Sequence, residues 1–197
     1  MRKILLTFVT MMITLSKLLH AEVPTQENVT RGYVATFNRA PDSEGLYYWL
    51  NDSGLQLEEI AQSFFDQPET KEKYPPGSTN TEFVTAVYAN LFNREPEPAG
   101  LAYWVGELDS GRVGKSVFIL AVINGAQNTE EFGNDGTILS NKTLAGLAFV
   151  DAGMDDVEDA KDIMGGVTDN FSTVDTALEN YDIDQSIDFV GLLGGKR

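Results

Sequence analysis

An internal repeat constrains the fold of this chain more than any other feature of its sequence. Residues 33–50 read YVATFNRAPDSEGLYYWL, and residues 88–105 read YANLFNREPEPAGLAYWV, at an offset of 55 positions. Both copies contain an Asn-Arg step, a proline, an acid, a Gly-Leu pair and a Tyr-Trp pair. Self-similarity of this kind is typical of a structural unit used twice. The repeated motif residues are Arg39, Pro41, Asp42, Gly45 and Trp49 in the first copy and Arg94, Pro96, Glu97, Gly100 and Trp104 in the second.

The spacing of apolar residues predicts three helices in each copy. We expect the prolines at 41 and 96 to end the first helix, because the residue before a proline is pushed out of the α region. Asp42 suits the N-cap of the second helix, and in both copies the acid favours that helix's dipole. An Asp-Ser-Gly sequence, at 52–54 and again at 109–111, ends the second helix with glycine near the C′ position. A third helix follows in each copy.

Residues 133–197 have a different texture, with further helices predicted between glycine-rich breaks. We expect a turn at Gly133–Gly136 and helices over Ser140–Asp151, up to Met164, over Val174–Asn180 and over about Asp184–Leu193. No stretch alternates well enough to predict a strand. The expected fold is therefore all-α: a first helical repeat over 27–78, a second over 79–132, and a helical C-terminal region over 133–197 that packs on the second repeat.

The N-terminal residues have the features of a cleavable signal peptide. A basic start at Met1–Lys3 precedes an apolar stretch over Ile4–Leu15, and cleavage after Ala21 would leave 176 of the 197 residues. The apolar stretch is too short to span a bilayer, so we expect no transmembrane segment after cleavage. The sequence thus predicts export through the general secretory route, to the periplasm, the cell surface or the extracellular space.

Composition excludes several classes of function. The only histidine, His20, lies in the predicted signal peptide, and the chain has no cysteine. The exported chain therefore lacks the ligands of ordinary zinc, haem and iron–sulfur sites and the histidine of a catalytic triad. The net charge of −16 becomes −19 once the three basic residues of the signal peptide are removed. We expect no nucleic-acid partner, because nucleic acids repel such a surface.

The repeat resembles the bacterial domain of unknown function 4214 family. The resemblance rests on Arg39–Asp42 with Gly45–Trp49, and on Arg94–Glu97 with Gly100–Trp104, where glutamate replaces the aspartate. It implies two tandem copies over about residues 27–132, a helical fold, and the secreted or cell-surface setting in which such members are often found. No reaction is attached to the family.

The repeated side chains favour structural roles over ligand binding. Arg39 and Arg94 are each followed three residues later by an acid, which favours an arginine that ties loop carbonyls and a carboxylate together. Trp49 and Trp104 follow a leucine at helical spacing, which indicates a core position. Tyr47 is the better candidate ligand contact, because alanine stands at its equivalent in the second copy; Tyr103 is a further candidate.

Hard cations are the metals that the composition leaves open, since carboxylate oxygens are their usual ligands, and calcium is the candidate among them. Alternating positions of an EF-hand-like loop are occupied by Asp182, Asp184, Ser186 and Asp188. Isoleucine and leucine then replace the glycine and the glutamate that such a loop requires. We therefore expect no cofactor and an acidic surface here, with calcium as the alternative.

The sequence favours an exported, non-catalytic structural or interaction protein of the cell surface or extracellular space. Its partners would be further copies of itself or other envelope or extracellular components. The alternative is a glycan- or ligand-binding module that uses aromatic contacts. A carboxylate-dependent glycoside hydrolase is the least favoured reading, because no pair among the 30 acids is singled out.

Overall fold

The chain is helical throughout the part that the computed structural model describes, residues 22–127 and 134–184, with no strand among them. The predicted all-α fold is confirmed. The signal peptide and the helix predicted over Asp184–Leu193 lie outside these residues, apart from Asp184 itself. The helices are α1 (Gln26–Phe37), α2 (Ser43–Tyr47, continued by a π-helical turn over Tyr48–Asp52), α3 (Leu57–Phe64), α4 (Pro68–Lys73), α5 (Asn80–Phe92), α6 (Pro98–Asp109), α7 (Lys115–Ala126), α8 (Asn134–Asp151), α9 (Val157–Asp162) and α10 (Ser172–Glu179).

The first helix of each repeat ends at an asparagine, three residues before the proline that was expected to end it. Asn38 and Asn93 both have a φ of 56°, and their backbone N–H groups close the last turns of α1 and α5. Asparagine tolerates this left-handed conformation because its short polar side chain bonds locally. The prediction that Pro41 and Pro96 end these helices was therefore wrong in position.

The second helix of each repeat begins at the repeated acid and ends before the repeated glycine, as predicted. Asp42 is the N-cap of α2, and its side chain accepts a hydrogen bond from the N–H of Gly45 at 2.6 Å. Glu97 is the N-cap of α6 without a side-chain bond. Gly54 and Gly111, with φ of 66° and 70°, follow the two helices. The copies then differ, since α2 finishes in a π-helical turn whereas α6 is α-helical to its end.

Two regions outside the motif differ from the prediction. The segment between the repeats contains α4, with Pro68 in its first turn, where proline costs no hydrogen bond. Helix α8 begins at Asn134, so Asn134–Gly136 is helical and not a turn. Gly133 lies outside the described residues. The helix expected to reach Met164 ends at Asp162 and has Asp156 as its N-cap, while α10 spans Ser172–Glu179.

Helix α1 is the centre of the packing. It contacts helices of its own repeat, α5 and α7 of the second repeat, and α8. One hydrophobic cluster consists mainly of first-repeat residues such as Tyr33, Trp49 and Phe64, together with Leu120 of α7. A larger cluster joins the second repeat, the C-terminal helices and one side of α1.

The C-terminal region is bonded to the motif loops of both repeats. The N–H of Ala40 donates to the carbonyl of Ala160 at 2.8 Å, and the side chain of Asn93 donates to the carbonyl of Val167 at 2.7 Å. These bonds hold the loop after α1 and the loop after α5 against the same C-terminal segment. Within the described ranges, no helix is both long enough and apolar enough to cross a membrane.

Candidate binding cleft in the first repeat

A cleft of about 540 Å³ opens beside the motif loop of the first repeat. The end of α1, the start of α2 with its π-helical turn, and the α3–α4 junction form its walls. Aromatic rings and charged groups share the surface, which makes it the strongest candidate site in the part of the molecule described. Its lining residues are Tyr33, Phe37, Arg39, Asp42, Gly45, Tyr48, Trp49, Phe64, Gln67, Pro68 and Glu69.

The aromatic wall is built from rings that pack edge to face. The ring of Phe64 lies 4.9 Å from that of Tyr33 and 5.5 Å from that of Trp49. The Trp49 indole N–H donates to the Tyr33 hydroxyl oxygen at 3.0 Å, which satisfies a buried donor. Tyr48 stands edge-on to Trp49 at 5.0 Å and is 49% exposed. The wall therefore has a fixed base and one solvent-facing ring.

Arg39 occupies the centre of the polar wall. Its Nε donates to both carboxylate oxygens of Glu69 at 3.0 and 3.1 Å, and its Nη2 donates to Oε2 at 3.0 Å. Its Nη1 donates to the carbonyl of Ala40 at 2.9 Å and reaches Asp42 Oδ2 at 3.5 Å. The guanidinium also lies 4.9 Å from the centroid of the Tyr33 ring. Burial by itself lowers the pKa of Arg39, but the hydrogen bonds that Arg39 donates to the Glu69 carboxylate hold this pKa above its ordinary value.

Tyr33 brings a hydroxyl to the bottom of the cleft. Burial raises the pKa of Tyr33 to about 12, so the group keeps its proton at every physiological pH. The hydroxyl oxygen accepts from Trp49, and no described residue accepts its proton. A methyl group added at Gly45 would lie 2.7 Å from Asp42 Oδ1 and 2.8 Å from the Tyr33 hydroxyl oxygen. Glycine is thus required here by the close approach of these two groups.

The second repeat contains the same set of contacts with different burial. Arg94 donates from Nε and Nη2 to the two oxygens of Asp135, at 2.9 and 2.6 Å, and from Nη1 to the carbonyl of Glu95. The guanidinium lies 5.6 Å from the centroid of the Tyr88 ring. The side chain of Arg94 is 36% exposed and that of Asp135 only 9%, whereas Arg39 is 8% exposed and Glu69 is 31%. Glu97 reaches Arg94 only at 3.6 Å and is 80% exposed.

The predicted aromatic candidates fall into separate environments. Trp49 and Trp104 are buried in the two hydrophobic clusters. Tyr47 is 61% exposed and lies outside the lining of the cleft. Tyr103 is partly buried against the larger cluster, with its ring 5.1 Å from that of Trp104. The cleft therefore brings together Arg39, Asp42, Gly45 and Trp49, and the exposed aromatic ring in its lining is that of Tyr48.

The acidic candidates for calcium are only partly within the described residues. Asp182 has a left-handed φ of 53° after α10 and Asp184 is exposed, whereas Ser186 and Asp188 lie outside. Across residues 22–127 and 134–184, no group of three or more potential ligands clusters around a metal-sized space. Some acids near α9 bond to protein groups instead: Asp156 caps α9, and Asp155 accepts from the N–H of Ser43 at 2.9 Å.

Sequence reasoning missed three residues that shape these sites. The carboxylate partners Glu69 and Asp135 come from the first turn of the helix after each third helix, 30 and 41 residues beyond their arginines. Their offset from one copy to the other is 66 positions, so alignment of the repeat at 55 does not superpose them. An acid in the first turn of a helix was the available signal. Tyr48 was passed over because its equivalent, Tyr103, is also tyrosine.

One family profile matches a part of this chain. Residues 61–132 match the sequence profile of a family described as "Domain of unknown function (DUF4214)". The match includes the motif of the second repeat, with Arg94, Pro96 and Trp104, and begins in α3 of the first repeat. No curated protein and no solved structure matches the chain.

Proposed function

Residues 61–132 of this chain match the DUF4214 family profile, and we propose that the protein is an exported, non-catalytic interaction protein of the cell surface or extracellular space. The single observation that carries this proposal is the cleft of the first repeat, an open concave surface with one exposed ring at its rim. Concave sites lined by aromatic side chains and a few placed polar groups are typical of ligand binding.

The charged groups of the cleft support binding without catalysis. Glu69 and Asp42 both accept hydrogen bonds from Arg39, and Asp42 also caps α2. Both carboxylates therefore help to hold the fold together. A carboxylate hydrolase needs one carboxyl group kept protonated as general acid, a state for which a guanidinium between the two acids is a poor environment. A hydrolase of this kind is therefore the least supported of the three functions.

Self-association is the form of interaction that the sequence favours and that the surface allows. Tyr47 and Tyr48 are adjacent and 61% and 49% exposed, which gives the first repeat an aromatic surface beside the cleft. Exposed aromatic groups are enriched at protein interfaces. Partners would be further copies of the chain or other envelope components.

The test has two parts. The full chain is expressed, and the mass of the protein recovered outside the cytoplasm is measured; loss of residues 1–21 supports export. Light scattering and negative-stain microscopy then follow that product over a concentration series, with calcium and with chelator. Ordered oligomers support self-association, and calcium dependence would promote the acidic C-terminal residues to a site. Retention of the intact chain in the cytoplasm would contradict the proposal.

Glycan binding is the second candidate function, and the polar groups of the cleft favour it. Hydrogen-bond donors and acceptors lie beside an exposed tyrosine ring, which is the combination that a sugar ring uses. A glycan array probed with the exported protein tests this candidate independently of assembly.

A further inference from the structure

The polar wall of the cleft carries both unused hydrogen-bond donors and unused hydrogen-bond acceptors. The Tyr33 hydroxyl has no acceptor for its proton among the described residues. The bonds of Arg39 account for its Nε, its Nη1 and one Nη2 hydrogen, which leaves one of its five N–H donors. Asp42 and Glu69 are each about 30% exposed and keep lone pairs beyond those that Arg39 and Gly45 occupy.

This arrangement selects against anions, because an anion entering the cleft meets the exposed carboxylates of Asp42 and Glu69. A cation can pair with these carboxylates, but it leaves the remaining donors of Arg39 and Tyr33 without an acceptor. A hydroxyl group both donates and accepts. It therefore bonds to a donor such as Tyr33 and to an acceptor such as Asp42 at the same time, and an uncharged ligand carrying several hydroxyls fits the wall best.

The rim of the cleft supplies a surface for the apolar face of such a ligand. Tyr48 lines the cleft and is 49% exposed, and its edge-on contact with Trp49 holds the ring in place. The faces of aromatic rings are electron-rich and attract polarised C–H groups. A pyranose presents such C–H groups on one face and hydroxyls at its edge.

We propose that the cleft of the first repeat is a saccharide subsite, in which an uncharged sugar ring stacks on Tyr48 and its hydroxyls bond to Tyr33, Arg39, Asp42 and Glu69. This proposal rests on the proposed function, since it names the ligand class of that interaction site. The sugar is bound without change, so no bond forms or breaks.

The test is titration calorimetry on the purified full chain with neutral oligosaccharides of glucose, mannose, galactose and N-acetylglucosamine. Oligogalacturonate and tetramethylammonium serve as the anionic and cationic probes. Tyr48→Ala is expected to weaken binding of the neutral sugar about tenfold, because the stacking surface is lost. Tyr47→Ala is the matched control: this neighbouring ring is exposed and outside the cleft, so binding is expected to change less than about twofold.

Each outcome decides the proposal. Binding of a neutral sugar that depends on Tyr48 and not on Tyr47 supports it. Absence of neutral-sugar binding at about 1 mM, equal loss in the two variants, or tighter binding of either charged probe overturns it. A chain that assembles with itself yet binds no neutral sugar overturns the saccharide subsite and leaves the interaction function standing. Sugar binding by a chain that is never exported supports the subsite and contradicts the exported role.

Discussion

The two repeats use the same ion pair but bury opposite ends of it. In the first repeat the arginine is buried and its carboxylate partner is 31% exposed; in the second the arginine is 36% exposed and Asp135 is 9% exposed. Apart from Glu97 in place of Asp42, the repeated motif residues are the same in both copies, so the difference comes from what packs beside them. In the first repeat the exposed Glu69 carboxylate leaves the polar wall accessible to ligands. In the second repeat the acid, Asp135, lies in the first turn of α8 and is buried.

The packing around the two copies explains this difference. The first repeat lies in a small hydrophobic cluster to which Leu120 of the second repeat also belongs. The second shares a larger cluster with α8, α9 and α10, and Asp135 is itself part of α8. A helix that both supplies the carboxylate and covers the core buries that carboxylate. Helix α4, which supplies Glu69, has only six residues and one buried position, so it leaves the acid near the surface.

The largest expected change in unfolding free energy concerns the ion pair of the second repeat, in which the carboxylate and not the arginine is buried. Arg94→Met removes the exposed partner and leaves the Asp135 carboxylate buried without a cation, which we expect to lower the free energy of unfolding by about 3 kcal/mol. Asp135→Asn leaves an arginine that water can reach and is expected to cost about 1 kcal/mol. Urea denaturation of both variants measures the difference. Equal costs would show that burial is not what distinguishes the two ends of the pair.

Gly45 and Gly100 occupy equivalent positions in the two repeats, so the same substitution at each compares their packing directly. Gly45→Ala places a methyl group within 3 Å of Asp42 and Tyr33, so we expect about 2 kcal/mol of destabilisation. Gly100→Ala meets nothing within 4 Å and is expected to be neutral or to stabilise α6 by up to about 1 kcal/mol, because alanine favours the helix. Thermal unfolding compares the pair. Destabilisation by Gly100→Ala as large as by Gly45→Ala would contradict the proposed difference in packing.

Two lysines cap the first helices of the repeats and give a pH-dependent test. Lys73 donates to the carbonyl of Phe37 at 2.9 Å, and Lys142, which is 1% exposed, donates to the carbonyl of Asn90. Burial is the main cause that lowers the pKa of each to about 8. Between pH 8 and about 10.5 each of these lysines is more protonated in the unfolded chain than in the folded one, so its contribution to stability rises with pH in that window. Buried tyrosines with a raised pKa, such as Tyr33, contribute with the opposite sign as the pH approaches 10.

Removal of Lys142, the buried lysine, should abolish most of the lysine contribution to the rise of stability with pH. For Lys142→Met we expect the gain in unfolding free energy between pH 8 and 10.5 to shrink by roughly 2 kcal/mol. Lys73→Met is the matched control: desolvation lowers the pKa of Lys73 as well, but the residue is exposed overall, so water screens its charge and the effect should be smaller. Urea titrations at pH 7.5 and 10 measure both. An unchanged slope in Lys142→Met would contradict a charged lysine at this position.

The smallest expected effect concerns the equivalent tyrosines. Tyr48→Ala removes a half-exposed ring and should change the unfolding free energy by less than about 0.5 kcal/mol. Tyr103→Ala removes a ring packed against the larger cluster and should cost about 1–2 kcal/mol. Calorimetric melting of the two variants measures this difference. A large loss in Tyr48→Ala would mean that the cleft rim is structural.

Much of the fold could be predicted because its signals are local. The N-cap role of Asp42 and the glycines after α2 and α6 depend on neighbours within four residues. The asparagine caps at 38 and 93 are equally local, although the prolines at 41 and 96 were predicted to end these helices. Glu69 and Asp135 could not be assigned, because each is brought to its arginine by the packing of a later helix. Which of the adjacent Tyr47 and Tyr48 rings lines the cleft depends on how α2 packs against α1, and not on the spacing within the repeat.

The helical class of the protein, its repeat and the absence of histidine and cysteine chemistry from residues 22–197 could all be derived from the order of residues. These properties depend on residue identity and on interactions within one or two turns of chain. By contrast, the packing of the helices sets which end of each ion pair is buried, which tyrosine lines the cleft, and the greater exposure of the carboxylate in the first repeat. Burial is set by the elements that pack on a residue, and α8 packs on the second repeat through residues more than 40 positions away from its motif arginine.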